Sequence, residues 1–258
     1  MPVILNSIEL KRKEPIDKVR NAIVFGDALD VMKRLPTGSI DLIVTSPPYN
    51  LKNSSGNGLK DGRGGKWKNA ALINGYQEHS DNMPYDEYCK WQRACLRQML
   101  RLIPENGAVF YNHKWRVQRG LLQDRTEILK GFPVRQIIIW KRKGGINFNL
   151  GYFLPTYEVV YVIAKPDFKL IHGANKHGDV WEIAQETNNP HPAPFPVELV
   201  DRIVSSTDAT IVLDPFSGSG TTGVAAVKNE RDYILIDNSR EYCKLAKTRL
   251  EGGNWNEH

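Results

Sequence analysis

The chain has 258 residues and a formal net charge of +6, because 35 Lys and Arg outnumber 29 Asp and Glu. Its length suits one large α/β domain or two small ones, and 41% hydrophobic residues suffice for a sizeable core. The basic excess fits a nucleic-acid partner, although many enzymes of other kinds are equally basic.

The cysteines and the apolar runs exclude several classes of protein. Three cysteines are an odd number and include no CxxC pair, which argues against a disulfide framework and against a zinc site. We therefore expect reduced thiols and no bound metal. The N-terminal apolar run is too short for a signal peptide, and no stretch approaches the roughly 18 apolar residues of a membrane span. These features predict a cytoplasmic protein that has no membrane partner.

Short apolar runs rich in β-branched residues alternate with helical patterns along the chain. The predicted strands cover Ala22–Phe25, Asp41–Thr45, Ala108–Tyr111, Arg135–Trp140, Val159–Ala164, Thr210–Leu213 and Tyr233–Ile236. Helices are predicted over residues 28–35, from Tyr85 to Ile103, and over Arg125–Leu129, Val197–Ser205 and Arg240–Leu250. This alternation predicts one α/β domain, residues 1–258, built on a doubly wound, mostly parallel sheet. Such sheets bind ligands beyond the carboxyl ends of their strands.

Residues 51–82 lack apolar periodicity and are predicted to form one long loop. The first half of this segment is basic, with Lys52, Lys60, Arg63, Lys66 and Lys68 against Asp61 alone. Loops of this length in compact domains are usually functional or disordered. We expect the segment to approach a nucleic-acid backbone, and a solvated mobile loop is the alternative.

A glycine-rich turn follows the strand that ends near Asp214. The segment 214–222 reads DPFSGSGTT, in which Gly218 and Gly220 allow a tight turn and close approach to a ligand. The lysine of a nucleotide-triphosphate loop is missing. Asp237 ends the next strand, where a carboxylate can accept hydrogen bonds from ribose hydroxyls. Together these residues indicate an adenosine-ribose site, and a turn without a ligand is the alternative.

A second motif, TSPPYN over residues 45–50, follows the strand that ends at Thr45. Two consecutive prolines prevent further strand pairing and fix the backbone at the sheet edge. The Ser46 hydroxyl and the Pro47 carbonyl then become fixed acceptors, and Tyr49 offers an aromatic face. A planar base with an amino group could stack on Tyr49 and donate to both acceptors. A rigid loop with a packed tyrosine is the alternative.

The pair DPFSGSGTT and TSPPYN resembles the DNA amino-methyltransferases that modify adenine N6 or cytosine N4. The TSPPYN motif lies N-terminal to the glycine-rich turn, which resembles the circularly permuted β class. The segments VFGDALDVMKRLPTGSIDLIVTSPPYN and NPHPAPFPVELVDRIV also resemble that class, so the likeness extends from Ala22 to Leu250. It implies a Rossmann-like methyltransferase fold, S-adenosyl-L-methionine as cofactor, double-stranded DNA as partner and a bacterial, archaeal or phage source.

The resemblance also implies roles for individual residues. The catalytic site that receives the flipped base would comprise Ser46, Pro47, Pro48 and Tyr49. The cofactor site would comprise Asp27, Phe195, Asp214, Phe216, Gly218, Gly220, Thr221 and Asp237. Adenine-specific relatives usually carry Asp or Asn in place of Ser46, so the serine favours cytosine N4 and leaves adenine N6 open. Target recognition would involve residues 51–82 and 141–182, with Lys114–Arg116, Lys141–Lys143 and His113 as further candidates to face DNA.

Two other functions remain open at this point. A methyltransferase acting on RNA or on a protein glutamine could use the same motif, because an amide is also planar. A binding module without activity is the second alternative, although both motifs are intact. A cysteine nucleophile for cytosine C5 is not expected, since no Pro-Cys dipeptide occurs. A homodimer, a cognate restriction enzyme and the recognition sequence are left open.

Overall fold

A computed structural model describes residues 2–50, 83–118, 120–142, 150–186 and 196–253. Its main feature is a nine-stranded sheet in the order β1-β2-β11-β10-β3-β4-β8-β7-β9. These strands span Val3–Asn6 (β1), Ala22–Phe25 (β2), Leu42–Thr45 (β3), Ala108–His113 (β4), Val134–Lys141 (β7), Tyr157–Ala164 (β8), Val180–Glu182 (β9), Ile211–Asp214 (β10) and Asp232–Asp237 (β11). A separate small hairpin joins Arg116–Gln118 (β5) to Leu121–Gln123 (β6).

Helices cover both faces of the sheet, and the strand residues alternate between two apolar cores. The helices span Ala28–Arg34 (α1), Tyr85–Leu102 (α2), Thr126–Leu129 (α3), Val197–Ser205 (α4), Thr221–Lys228 (α5) and Arg240–Gly252 (α6). On β3, Leu42 and Val44 pack in the core that contains α4, α5 and α6, whereas Ile43 packs in the core with α1, α2 and α3. Burial on both faces explains why β3 is apolar throughout.

The order of connections changes direction between β10 and β3. From β10 the chain passes through α5 to β11 on one side, and from β3 it passes through α2 to β4 on the other side. The two strands lie next to each other in parallel, with Val212 opposite Leu42 and Leu213 opposite Ile43. Ligands of open α/β sheets bind in the crevice at such a switch point. Both predicted motifs begin at this place.

The doubly wound, mostly parallel sheet predicted from the sequence is confirmed. Within the nine-stranded sheet, β8 runs antiparallel to its neighbours β4 and β7, and the other described pairs are parallel. The predicted strand and helix positions agree with the structure to within two residues at each end. The sequence reading missed β1, the β5–β6 hairpin and β9, because these edge elements have three or four residues and little apolar periodicity.

Two smaller expectations can be compared with the structure. All three cysteines are free and buried, as expected for reduced thiols: Cys89, Cys95 and Cys243. Within the described part of the chain, no helix is long and apolar enough to cross a membrane. The predicted loop 51–82 and Phe195 lie outside the described residues.

Candidate active site

The carboxylate of Asp214 joins the two motifs across the switch point. Its Oδ1 accepts a hydrogen bond of 2.7 Å from Thr45 Oγ1, which precedes Ser46 at the end of β3. Its Oδ2 accepts one of 2.6 Å from Thr222 Oγ1 at the start of α5. The Phe216 N–H also donates to Oδ1, at 3.0 Å. One fully buried side chain therefore fixes the start of the TSPPYN loop and both ends of the glycine-rich turn.

Burial makes this carboxylate costly to ionise. The pKa of Asp214 is raised from 3.8 to about 6, first by its complete desolvation and to a smaller degree by the nearby negative charge of Asp237. Hydrogen bonds from Thr222, Thr45 and Phe216 act in the opposite direction. Asp214 and Asp237 thus place two carboxylates close to the turn.

The glycine-rich turn has the geometry expected from its sequence. Gly220 has φ of +82°, and a Cβ there would lie 2.8 Å from the Cβ of Ala246 on α6. Gly218 also has positive φ, at +49°, and its N–H donates to Asp237 Oδ2 at 2.8 Å. The other oxygen of Asp237 accepts from the Ser239 N–H at 2.8 Å. Asp237 therefore shapes the turn from the adjacent strand.

The remaining predicted cofactor residues lie around this turn at different depths. Phe216 is half-buried and contacts Trp91 edge to face, with ring centroids 5.6 Å apart. The Thr221 hydroxyl is buried and accepts from Arg249 Nη1 at 2.9 Å, so it contributes to the framework. Asp27 is exposed beyond the end of β2, next to β11, and its carboxylate caps α1 by accepting from the Asp30 N–H at 3.0 Å.

These residues fit S-adenosyl-L-methionine. The cofactor is cationic at its sulfonium and ammonium groups, and two coupled carboxylates, Asp214 and Asp237, flank the turn. Its ribose carries hydroxyl groups that can donate hydrogen bonds to a carboxylate at the end of a strand, the position of Asp237. The Ser217 hydroxyl in the same turn is 4% exposed and has no hydrogen-bond partner among the described residues. A buried polar atom of this kind indicates a partner outside the described residues, and a bound cofactor would supply one.

The TSPPYN loop leaves the sheet beside this turn. Ser46 is half-buried, and its Oγ lies 2.7 Å from Tyr49 Oη. Tyr49 is 8% exposed, and its ring stacks on His113 with centroids 4.7 Å apart and an interplanar angle of 23°. One face of Tyr49 is therefore covered, and a base could stack only on the other face.

A buried polar network under the loop fixes the Pro48 carbonyl. Tyr88 Oη donates to that oxygen at 2.8 Å, and Gln92 Nε2 lies 3.3 Å from it. Arg125 Nε donates to His113 Nδ1 at 3.2 Å, so the Nδ1 position is an acceptor and the proton of a neutral ring lies on Nε2. His113 Nε2 then donates to Tyr88 Oη at 2.8 Å.

The structure corrects the expectation that His113 faces DNA. His113 is fully buried because β4 continues for two residues beyond its predicted end, which turns the side chain toward Tyr49. The expectation that Lys141–Lys143 face DNA is also wrong for Arg142, whose side chain is 12% exposed and pairs with Glu158 at 3.1 Å. Lys141 pairs with Glu182 at 3.0 Å, and Lys143 lies outside the described residues.

Sequence reasoning missed two polar residues that contact the predicted catalytic loop. Asn112 at the end of β4 places its Nδ2 2.7 Å from Tyr49 Oη and 3.3 Å from Ser46 Oγ. Glu158 at the start of β8 places its Oε2 3.1 Å from Tyr49 Oη. Both residues lie just outside the predicted strands Ala108–Tyr111 and Val159–Ala164, so no sequence signal connected them with this loop.

The pKa of Asp214 predicts a pH dependence of stability. Below about pH 4 the carboxyl is protonated in both the folded and unfolded states. Between pH 4 and 6 only the unfolded chain loses the proton, so the free energy of unfolding falls by up to about 3 kcal/mol. Above pH 6 this contribution no longer changes. Urea unfolding measures this effect. The free energy of unfolding of Asp214→Asn minus that of wild type should rise by up to about 3 kcal/mol between pH 4 and pH 6. A difference that does not change with pH would contradict the assigned pKa.

Comparisons with known proteins support one family. The family model described as DNA methylase matches residues 40–248. The Type II methyltransferase M2.MboI of Moraxella bovis is 30% identical over 253 residues, which cover 87% of this chain and 85% of that protein. Among solved structures, the cytosine-N4-specific PvuII DNA methyltransferase has a TM-score of 0.69 at 18% identity, covering 90% of this chain and 86% of that one.

The complex of M1.HpyAVI with its bound cofactor, SAM, has a TM-score of 0.57 at 22% identity, covering 88% of this chain and 98% of that one. These two structural likenesses confirm the predicted methyltransferase fold. The family match covers most of the chain and includes both motifs. This chain therefore belongs to the N6/N4 DNA methylase family of S-adenosyl-L-methionine-dependent methyltransferases.

Proposed function

We propose that this protein transfers a methyl group from S-adenosyl-L-methionine to the exocyclic amino nitrogen of a flipped base in double-stranded DNA, with cytosine N4 as the target. The observation that carries the proposal is the contact between the TSPPYN loop and the glycine-rich turn through Thr45 and Asp214. This contact brings a site for a planar amine next to a site for a cationic cofactor. Transfer between two bound groups requires this proximity.

Ser46 and Pro47 orient the amine in this proposal. An exocyclic amine is a weak nucleophile because its lone pair is conjugated with the ring of the base. The Ser46 hydroxyl and the Pro47 carbonyl would each accept one N–H and favour a pyramidal nitrogen. Its lone pair would then point at the methyl group that the cofactor supplies. Orientation and electrostatic stabilisation account for most of the rate in this mechanism, and no covalent enzyme intermediate is needed.

Tyr49 supports the base once it has left the helix. One face of the ring is stacked on His113, so the other face would receive the flipped base. The hydrogen bonds of Tyr88 and Gln92 to the Pro48 carbonyl hold the loop from below. A loop held in this way needs little reorganisation when the base arrives.

The cofactor site is proposed on the turn 214–222 and the neighbouring strand ends. Asp237 would hold the ribose, Asp27 would lie near the adenine, and Phe216 would pack against the cofactor. Gly218 and Gly220 would allow the backbone to approach it. Asp214 and Thr221 act chiefly through their hydrogen bonds to Thr45, Thr222 and Arg249.

DNA would approach the sheet edge that carries both sites. The β7–β8 connection leaves from that edge, because β8 is antiparallel to β4 and begins where β4 ends. Leu150 and Phe153 in this connection are almost fully exposed. We propose that residues 141–182 contribute to target recognition, together with the basic segment 51–82. A dimer or a cognate restriction enzyme would be compatible with this role.

The identity of the methylated base tests the proposal directly. Purified protein is incubated with duplex DNA and methyl-deuterated S-adenosyl-L-methionine, and the DNA is digested to nucleosides for mass spectrometry. We expect labelled N4-methyldeoxycytidine in the wild type and at least tenfold less in Ser46→Ala, which lacks one acceptor. Labelled N6-methyldeoxyadenosine would contradict only the choice of cytosine as target and would leave the proposed DNA methylation intact. Label in RNA or protein with none in DNA would contradict the function.

Removal of the Asp237 carboxylate tests the cofactor site. Asp237→Ala removes a ribose acceptor and the partner of the Gly218 N–H, so we expect Kd for S-adenosyl-L-methionine to rise at least tenfold, or about 1.4 kcal/mol. Isothermal titration calorimetry measures this directly. The matched control is Asp232→Ala at the opposite end of the same strand, which should bind like wild type. Equal affinity in both variants would place the ribose elsewhere.

A further inference from the structure

A chain of hydrogen bonds leads from Ser46 away from the base site to a buried carboxylate. Ser46 Oγ lies 2.7 Å from Tyr49 Oη, and Tyr49 Oη lies 3.1 Å from Glu158 Oε2. Glu158 is 7% exposed, and its other oxygen pairs with Arg142 at 3.1 Å. The chain thus connects a surface-accessible hydroxyl with a buried ion pair through one tyrosine.

The chemistry of the groups fixes the direction of these hydrogen bonds. An ionised carboxylate only accepts, so the single proton of Tyr49 Oη is donated to Glu158. Asn112 Nδ2 donates to Tyr49 Oη at 2.7 Å and to Glu158 Oε2 at 3.0 Å, which excludes the flipped amide because two oxygens would then face each other. With its own proton committed, Tyr49 Oη can only accept from Ser46. Ser46 Oγ thus donates its own proton to Tyr49 and can accept a hydrogen bond from the substrate amine.

We propose that Glu158 is a positioning residue that makes Ser46 an acceptor toward the target amine and that receives, through Tyr49, the proton lost by this amine. The proposal rests on the function proposed above. The amine must lose a proton because its nitrogen gains a methyl group, while the donor sulfur keeps the electron pair of the bond that breaks. The Pro47 carbonyl has no proton to pass on, whereas the Ser46 hydroxyl can accept one proton and release another.

The proton balance is complete within the chain. The amine proton moves to Ser46 Oγ, the Ser46 proton moves to Tyr49 Oη, and the Tyr49 proton moves to Glu158 Oε2. Ser46 and Tyr49 end as neutral hydroxyls, and Glu158 ends as a carboxylic acid that later returns the proton to solvent. Arg142 stabilises the negative charge that Glu158 carries before each transfer.

An unpaired atom beside the chain independently indicates a ligand. Asn112 Oδ1 is buried and has no hydrogen-bond partner among the described residues, although Asn112 Nδ2 reaches Ser46, Tyr49 and Glu158. Such an acceptor calls for a donor outside the described residues, and an amino group of the base would supply one. Asn112 Nδ2 lies 3.3 Å from Ser46 Oγ, so Asn112 borders the site proposed for the base.

The test is the rate of a single methyl transfer in Glu158→Gln. Glutamine keeps the volume, but its amide can donate to Tyr49 and reverse the chain, so Ser46 would present a proton to the amine. We expect the single-turnover rate to fall about 100-fold, the usual scale for loss of proton-transfer assistance. Calorimetric Kd values for S-adenosyl-L-methionine and for DNA should stay within twofold of wild type. The matched control is Glu105→Gln, which loses the carboxylate paired with Lys165 at the other end of β8.

Tyr49→Phe provides a second variant that preserves the ring and removes only the hydroxyl. We expect Tyr49→Phe to lose as much rate as Glu158→Gln, and the double variant to lose no more than either single variant. A solvent deuterium isotope effect on the rate should be present in wild type and absent in Tyr49→Phe. This variant decides the question if Glu158→Gln does not fold. Wild-type rates in both single variants would overturn the inference, as would additive losses in the double variant. If the wild type itself leaves DNA unmethylated, the proposed function fails first.

Discussion

The hydrogen bond between Thr45 and Asp214 is the interaction on which the site depends. It crosses between two parallel strands whose connections run in opposite directions, at the place where the sheet opens a crevice. Asp214 is completely buried and binds Thr45, Thr222 and the Phe216 N–H, so it sets the relative position of the TSPPYN loop and the glycine-rich turn. Each of these donors stabilises the buried carboxylate, because a buried charge without hydrogen bonds is costly. The two loops therefore have little freedom to move independently.

The sequence predicted the parts of the site that are built locally. TSPPYN and DPFSGSGTT each follow an apolar strand, and their prolines and glycines constrain the backbone wherever that strand lies in the sheet. Their contact could not be predicted from the sequence, because Thr45 and Asp214 lie 169 positions apart and the intervening chain supplies α2, β4, β7, β8 and α4. The resemblance to the permuted methyltransferase family did predict that the two motifs form one site.

The residues of β4 and β8 that contact the TSPPYN loop could not be predicted in the same way. Asn112 and His113 end β4, and Glu158 begins β8, so their meeting at Tyr49 depends on the antiparallel insertion of β8 beside β4. A pattern of apolar residues gives the same signal for a parallel and an antiparallel strand that is buried on both faces. His113 was placed in the wrong environment for a related reason, since the predicted end of β4 came two residues too early.

The substitution Thr45→Val tests most directly whether the two loops act as one site. Valine matches the shape of threonine and removes only the hydroxyl that binds Asp214. We expect this variant to remain folded and to bind S-adenosyl-L-methionine and DNA. Its rate of single-turnover methyl transfer should fall at least tenfold, because small misplacements of reacting groups are this costly. A wild-type rate in Thr45→Val, with folding and binding unchanged, would contradict the claim that this hydrogen bond aligns the base with the cofactor.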